Sequence, residues 1–273
     1  MTDDFPVALT IAGSDCSAGA GIQADLKTFQ HFHVHGLTAV TCVVSETADV
    51  VRVVHPVPVD VVSDQISLLL DSFPVAAVKT GMLHSAAHVR AVARILAQNP
   101  HIKLVVDPVM IATSGKPLLE SGAIDIYRNE LLPLASLITP NLPEAEALLG
   151  ERIPDIATME RAARLLAERF QTSVLLKGGH LDGPHCIDLL AGNGELHRFA
   201  SDRIPVAASH GTGCTLSAAI AAGLARGGTI QSAVDRAKDY IGRALRGSYS
   251  FHCPAGGVLH ALDQGTRAAK NDA

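Results

Sequence analysis

Apolar and polar positions along the chain alternate in blocks that predict strands followed by helices. Residues 7–12 form a short apolar run that ends at Gly13, and the apolar spacing over residues 22–32 is typical of a helix. Residues 37–44 are nearly continuous in apolar and β-branched side chains, as in a strand buried on both faces. This order predicts a strand, a glycine-rich turn, a helix and a second, parallel strand.

The same alternation continues through the middle of the chain. Further strands are predicted at residues 76–78, 103–106, 136–138 and 173–176, and helices from Pro143 and over residues 159–170. The alternation then ends with a predicted β-hairpin over residues 186–200, which turns at Ala-Gly-Asn-Gly, and two alanine-rich helices over residues 213–225 and 230–245.

The chain is expected to form a single domain over residues 1–273. No Pro/Ser-rich linker, low-complexity tract or internal repeat divides it. The predicted fold class is α/β, a three-layer, doubly wound and mostly parallel sheet with a small β-hairpin. Residues after about 257 are polar, and we expect them to be a loose tail. In such sheets ligands bind beyond the carboxyl ends of the strands.

Charge and composition exclude several classes of partner. The 22 basic and 27 acidic residues are well mixed and give a net charge of −5, so no basic stripe is available for a nucleic-acid backbone. No apolar run approaches the roughly 18 residues of a membrane span, and the acidic first residues differ from a signal peptide. We therefore expect a cytoplasmic protein with neither nucleic acid nor membrane as a partner. Five widely spaced cysteines without a Cys-x-x-Cys pair suggest neither disulfides nor a zinc site.

The strongest local signal is His-Gly-Thr-Gly-Cys at residues 210–214, which leads directly into a predicted helix. Glycines and the N–H groups of a helix start suit an anion such as a transferring phosphoryl group. The alternative is an ordinary glycine-containing helix start. Cys214 lies in the first turn, where a thiol pKa is lowered and a thiolate base becomes available. The alternative for Cys214 is a small buried apolar residue.

Polar residues also follow several predicted strands. Lys177 follows one strand and suits phosphates, whereas Asp107, Asn141 and Glu144 follow others and suit a hydrated Mg²⁺. The alternatives are a turn for Asp107 and helix caps for Asn141 and Glu144. The first turn, residues 13–21, lacks the glycine spacing of a dinucleotide site and suits a loop that closes over a small polar substrate.

Taken together, these segments resemble the ribokinase-like superfamily, and more closely its bacterial hydroxymethylpyrimidine/phosphomethylpyrimidine kinases of thiamine biosynthesis. The resemblance covers most of the chain between residues 8 and 217. It is carried by residues 8–15, 19–29, 79–83, 107–110, 139–141, 177–180 and 211–217.

The resemblance implies an ATP- and Mg²⁺-dependent kinase that acts as a homodimer. It would phosphorylate 4-amino-5-hydroxymethyl-2-methylpyrimidine and then convert the monophosphate to the diphosphate. Cys214 would take the position where most of the superfamily has an Asp base, and the backbone of Gly211, Thr212, Gly213 and Cys214 would form an anion hole. The residues implied around the pyrimidine are Gly13, Asp25, Val44, Glu46, Met82 and Val109.

On the nucleotide side, the resemblance assigns phosphate or nucleotide contacts to Lys177, Asn141, Thr139 and Gly179. It assigns Asp107 and Glu144 to Mg²⁺ through waters. An aminopyrimidine offers N–H donors beside a ring acceptor, which Glu46 at a strand end would pair with. The alternative for Glu46 is a solvated carboxylate.

Two stretches depart from the common family pattern. Residues 45–48, Ser-Glu-Thr-Ala, stand where many members have Gln-Asn-Thr, and residues 111–115 lack the loop lysine of many members, although Lys116 follows. Residues 110–116 also lack the cysteine that helps some members phosphorylate pyridoxal, which favours the pyrimidine. The alternatives are a pyridoxal or pyridoxine kinase on the same fold and, more remotely, a non-catalytic nucleotide- or pyrimidine-binding regulator.

Overall fold

A single nine-stranded sheet forms the centre of the protein. The computed structural model describes residues 5–110, 119–120, 122–179, 181, 183–205, 210–254 and 256–265. The loop at residues 111–115, Lys116 and His180 lie outside the described residues. The strands of the sheet are β1 Val7–Asp15, β2 His35–Glu46, β3 Val51–Pro56, β4 Val75–Thr80, β5 Lys103–Val106, β6 Leu137–Ile138, β7 Ser173–Lys177, β8 His185–Gly192 and β9 Glu195–Asp202.

The sheet is mostly parallel, as predicted. Its strand order is β3-β2-β1-β4-β5-β6-β7-β8-β9. Neighbouring strands pair in parallel along the stretch β2-β1-β4-β5-β6-β7. Strand β3 is antiparallel at one edge, and β8 and β9 form the predicted hairpin as an antiparallel extension of the other edge. The carboxyl ends of the parallel strands therefore meet along one edge of the sheet, where the rule for doubly wound sheets places a ligand.

Helices cover both faces of the sheet. They are α1 Gly21–His31, α2 Val59–Ser72, α3 Ala86–Ala97, α4 Ala123–Ile126, α5 Leu142–Leu149, α6 Ile156–Phe170, α7 Thr212–Ala225 and α8 Ile230–Arg246, with short π- and 3₁₀-helical turns at Tyr127–Leu131 and Leu132–Leu134. Four helices begin at a side chain that accepts a backbone N–H: Ser85, Asn141, Asp155 and Thr229.

Two apolar clusters separate the three layers. One joins the sheet to α2, α3, α5 and α6, and the other joins it to α1, α7 and α8. Helix α7 is buried along nearly its whole length, which explains its small alanine-rich side chains. The three-layer α/β prediction is therefore confirmed.

The predicted elements differ from the structure in two places. Strand β3 was not predicted because its residues are mostly exposed at a sheet edge and carry no buried apolar pattern. The predicted loose tail is wrong for residues 258–265: β10 Tyr249–His252 pairs with β11 Val258–Ala261, and the segment behind β11 buries Leu262 and Gln264. Half of residues 258–265 are apolar, and the segment becomes ordered because Leu262 packs inside the protein and the polar groups of Gln264 find hydrogen-bond partners there.

Candidate active site

The residues singled out from the sequence lie along one edge of the sheet. Asp15 and Glu46 end β1 and β2, and Lys177 ends β7. Asp107 and Thr139 directly follow β5 and β6. Parallel strands thus bring side chains from the whole chain to the position that the sheet topology favours for a ligand.

The start of α7 forms the centre of this edge. Gly211 is the N-cap residue with a φ of +81°, a left-handed conformation that suits glycine. Its carbonyl oxygen accepts the N–H of Thr215 at 2.9 Å, which closes the first turn. The first N–H groups of a helix have no partner within the helix, and the helix dipole adds positive charge there. Residues 211–214 therefore have the backbone geometry of an anion hole.

Cys214 does not have the lowered thiol pKa that its place in the first turn predicts. Burial raises the pKa of Cys214 to about 11, and the charge of Lys79 opposes this only in part. The helix dipole effect is smaller than the cost of a thiolate shielded from water. Cys214 is therefore a neutral thiol near neutral pH, and a thiolate base is not what this environment provides.

A cation and a carboxylate lie directly behind the helix start. Lys177 Nζ is 3.1 Å from Asp107 Oδ1, and Asp107 also accepts hydrogen bonds from the hydroxyls of Thr139 and Ser217 at 3.3 and 3.2 Å. A Cβ at Gly213 would lie 3.4 Å from Lys177 Nζ, so the glycine backbone borders the cation. Burial would lower the pKa of Lys177, but the negative charges of Asp107 and Glu144 and the hydrogen bond to Asp107 together raise it. The lysine is charged beside the anion hole.

Asn141 and Glu144 form a capping box at the start of α5. Asn141 Oδ1 accepts the Glu144 N–H at 2.9 Å, and Glu144 Oε2 accepts the Asn141 N–H at 2.8 Å. Burial and the nearby charge of Asp107 raise the pKa of Glu144 to about 7, although Lys177 opposes them. The capping alternative is therefore what the structure shows, and Glu144 carries only part of a negative charge at neutral pH.

The loop behind β7 is held from two sides. Asp188 accepts the N–H of Gly178 at 2.9 Å and pairs with Lys238 of α8 at 2.6 Å. Arg203 donates to the carbonyl oxygen of Gly179 at 3.0 Å. Gly179 itself is exposed. No motif in the sequence marks Asp188, Lys238 or Arg203 as part of the site, because only the fold brings them to this loop.

The donor set fits Mg²⁺ through water and not by direct ligation. No group of three His, Cys, Asp or Glu side chains suited to a metal is found among the described residues. Asp107 already accepts three hydrogen bonds, and Glu144 caps a helix. Mg²⁺ commonly keeps several waters and binds substrate phosphates with few carboxylates. Asp107 and Glu144 could therefore act on a Mg²⁺ ion only through its bound waters.

A small apolar cluster lies beside the helix start on the other side of the edge. It contains Val44 and Met82 with Val109 packed against them, and it includes Cys42, which the sequence did not single out. A Cβ at Gly13 would lie 2.8 Å from Cys42 Sγ, so only glycine fits against this thiol. Gly13, Val44, Met82 and Val109 therefore lie close together. Apolar side chains in such a cluster suit the faces of a flat ring.

Glu46 borders the apolar cluster and is half-buried. The Cys16 thiol lies 3.2 Å from its carbonyl oxygen and 3.3 Å from its N–H, so the strand end is held in place. Burial and the nearby carboxylate of Asp15 raise the pKa of Glu46 to about 7, against the opposing charge of His210. The solvated alternative is therefore not supported, and Glu46 is close to half-protonated at neutral pH.

Asp15 organises residues 15–21, which we call the substrate loop. Its carboxylate accepts the N–H groups of Ser17, Gly19 and Ala20 and lies 2.9 Å from Nε2 of His210. Burial would raise the pKa of Asp15, but these hydrogen bonds lower it to about 2. Burial likewise would lower the pKa of His210, but Asp15 raises it. The ion pair joins the substrate loop to the residue before the anion hole.

Asp25 differs from its predicted place against the ring. It has no exposed surface, and its carboxylate accepts from Lys79 Nζ at 2.8 and 3.0 Å and from the Thr10 hydroxyl at 2.6 Å. Burial would lower the pKa of Lys79, but the charge and hydrogen bond of Asp25, together with the nearby Cys214 and Asp107, raise it. A buried lysine needs a carboxylate partner. Asp25 provides it in the interior and is not part of the apolar cluster.

Comparison with known proteins gives the family. The model of the family described as "Phosphomethylpyrimidine kinase" matches residues 15–258. The chain belongs to this family. It is 44% identical over 241 residues to the hydroxymethylpyrimidine/phosphomethylpyrimidine kinase of Haemophilus influenzae, which covers 87% of this chain and 90% of that protein. The family predicted from the motifs is thereby confirmed.

Two further relatives extend this result. The chain is 43% identical to the thiamine biosynthesis bifunctional protein ThiED of Geobacter sulfurreducens; the match covers 93% of the chain but only about half, 53%, of that protein. The crystal structure of an ADP complex of Bacillus subtilis pyridoxal kinase superposes with a TM-score of 0.86 at 34% identity, over 95% of this chain and 98% of that one. Within the described residues, no helix has both the length and the apolar character needed to cross a membrane.

Proposed function

We propose that this protein is an ATP-dependent kinase that phosphorylates 4-amino-5-hydroxymethyl-2-methylpyrimidine and then converts the monophosphate to the diphosphate. The observation that carries the proposal is the position of the α7 start. It lies beside the charged pair Lys177 and Asp107. His210, just before it, interacts electrostatically with Glu46, which borders the apolar cluster. A phosphoryl group at residues 211–214 would therefore have a ring site on one side and a nucleotide phosphate site on the other.

Catalysis in this geometry is mainly positioning and charge stabilisation. The backbone N–H groups of Gly211, Thr212, Gly213 and Cys214 would face the oxygens of the transferring group, and Lys177 would neutralise the nucleotide phosphates. The nucleotide would also contact Thr139, Asn141 and Gly179, which lie next to Asp107 and Lys177. Mg²⁺ supplies further positive charge when bound with the nucleotide, and Asp107 and Glu144 would hold it through waters.

Cys214 would contribute shape and a weak hydrogen bond more than a base. A thiol with a pKa of about 11 holds its proton near neutral pH. The loose transition state of phosphoryl transfer needs little removal of the hydroxyl proton before the bond to the leaving group weakens. The reacting hydroxyl would therefore be activated chiefly by its alignment beside the anion hole.

Glu46 would recognise the aminopyrimidine as a neutral acid. The ring edge offers one acceptor, a ring nitrogen, beside one donor, the amino group. A protonated carboxyl group matches both, because its O–H donates and its carbonyl oxygen accepts, whereas a carboxylate has no donor. Burial and the neighbouring Asp15 already favour this protonated form in the protein.

This assignment predicts a characteristic pH dependence. Because the pKa of Glu46 is raised to about 7, the carboxyl group is protonated below this pH and ionised above it. We expect kcat/KM for the pyrimidine to fall by roughly tenfold for each pH unit above the pKa. In the Glu46→Gln variant, whose amide has both a donor and an acceptor, this fall should be absent. The measurement is kcat/KM between pH 6 and pH 9 at saturating ATP.

Asp49→Asn is the matched control. Asp49 is an exposed carboxylate whose charge also acts on His210, so its loss changes the local charge equally without removing the proposed ring contact. The control should keep the pH dependence of the parent protein. A Glu46→Gln variant with the same fall above pH 7 would contradict the neutral-acid assignment.

Product analysis tests the proposed function itself. Pure protein, Mg-ATP and the hydroxymethyl aminopyrimidine should give the monophosphate and then the diphosphate by phosphorus NMR or mass spectrometry. A parallel reaction with pyridoxal is needed, since a pyridoxal kinase shares this fold at a TM-score of 0.86. Phosphorylation of pyridoxal alone would overturn the proposed substrate. The homodimer and the cytoplasmic location stay predictions.

A further inference from the structure

The segment behind β11 reaches into the candidate active site through Gln264. This side chain is only 3% exposed although it follows a short surface hairpin. Its Nε2 donates to the carbonyl oxygen of Gly19 at 3.0 Å and to the Thr215 hydroxyl at 2.9 Å. Both amide hydrogens are therefore used, one on the substrate loop and one on the first turn of α7.

The backbone of Gln264 is fixed from the opposite side. The Tyr240 hydroxyl of α8 donates to its carbonyl oxygen at 2.8 Å, and the preceding Asp263 N–H donates to the Ala244 carbonyl oxygen at 3.1 Å. The backbone of this segment is thus tied to α8 by two hydrogen bonds, so the Gln264 side chain reaches the substrate loop from a fixed point.

The Gly19 carbonyl, to which Gln264 donates, lies close to the start of α7. A Cβ at Gly211 would overlap the carbonyl oxygen of Gly19, so this carbonyl packs directly on the N-cap residue of α7. The same peptide region donates the Gly19 N–H to Asp15 at 3.1 Å. Gln264 and the ion pair of Asp15 with His210 therefore hold the substrate loop at two separate points against the anion hole.

We propose that Gln264 is a positioning residue that sets the spacing between the substrate loop and the anion hole for phosphoryl transfer. The inference rests on the proposed function insofar as residues 211–214 hold the transferring group. Without the amide, the partly buried Gly19 carbonyl loses the donor that ties it to the segment behind β11. The loop then moves relative to α7, and the substrate hydroxyl is no longer aligned with the phosphoryl group.

The test compares Gln264→Met with Tyr240→Phe in the full chain. Met keeps the size of the side chain and removes both donors. We expect kcat to fall roughly ten- to hundredfold with a small change in KM for ATP, as for a misplaced reacting group. Amide hydrogen exchange in residues 15–21 should become about tenfold faster, because local opening becomes easier. Gln264→Leu, which also has no donor, should behave in the same way.

Tyr240→Phe separates positioning from stability. It removes one of the two bonds that tie the segment to α8 but keeps the bond of the Asp263 N–H to Ala244 and the Gln264 amide, so we expect a lower midpoint of thermal unfolding with nearly unchanged kcat and loop exchange. Wild-type kcat and wild-type exchange in both Gln264 variants would overturn the proposal, as would equal losses of kcat in Tyr240→Phe. The exchange measurement needs no substrate. If the parent protein phosphorylates no pyrimidine, the proposed function fails while the contact of Gln264 is still tested.

Discussion

Replacing Gly211 with alanine is expected to lower kcat by roughly 10²- to 10³-fold, the loss seen when one donor of an oxyanion hole is removed. Gly211 has a φ of +81°, and a Cβ there would overlap the carbonyl oxygen of Gly19. The new methyl group must push the substrate loop away or unwind the first turn of α7. Either movement displaces the N–H groups of residues 212–214. Steady-state kinetics with Mg-ATP and the aminopyrimidine measure the loss.

Gly227→Ala is the matched control for this prediction. Gly227 lies just beyond the opposite end of α7 and has nearly the same φ of +80°, but no atom lies within 4 Å of the added Cβ. Both variants therefore share the left-handed backbone cost of about 1–2 kcal/mol, and only Gly211→Ala has the steric conflict. Equal losses of kcat in the two variants would show that backbone strain, and not the geometry of the anion hole, is responsible.

Replacing Lys79 with methionine is expected to lower the free energy of unfolding by roughly 3–5 kcal/mol. Lys79 and Asp25 have no exposed side-chain surface, and their charged groups are 2.8 Å apart. Methionine preserves much of the volume but leaves the Asp25 carboxylate buried with only the Thr10 hydroxyl as a partner. Urea unfolding followed by circular dichroism at pH 7 measures the change.

The double variant Lys79→Met with Asp25→Asn tests the cause. Removing both charges eliminates the uncompensated carboxylate, so most of the lost stability should return. The Thr10 hydroxyl still has an amide oxygen to which it can donate. A single variant within about 1 kcal/mol of the parent would contradict the prediction, since this is the cost of an ordinary surface change. It would mean that Asp25 takes up a proton when its partner is removed.

Much of the fold and part of the site could be predicted from the sequence. Continuous apolar runs with intervening helical spacing gave a parallel sheet, and the rule for strand ends then gathered Asp107 and Lys177 at one edge. The apolar cluster around Val44 and Met82 could be predicted only from the family resemblance. The strand-end residues and the apolar cluster both lie within or next to helices and strands. There the local sequence pattern and the position in the fold lead to the same prediction.

The remainder depended on contacts between distant segments. Lys79 lies in one of the segments that carry the family resemblance, but its buried pairing with Asp25 exists only because the fold brings α1 and the end of β4 together. Cys214 has a raised pKa because burial exceeds the effect of the helix start, and the degree of burial is not visible in the motif. Gln264 lies in a polar stretch without periodicity, so no local pattern distinguishes it from a solvated residue.

The two contacts that hold the substrate loop also bear on how the protein folds. His210 is 195 residues from Asp15, and Gln264 is 245 residues from Gly19. Contacts over such separations form slowly, because the chain entropy lost in closing the intervening loop must be offset by other interactions first. The helices and the apolar core do not depend on either contact. When the unfolded chain refolds, its helical signal and compactness should therefore return ahead of its ability to turn over substrate.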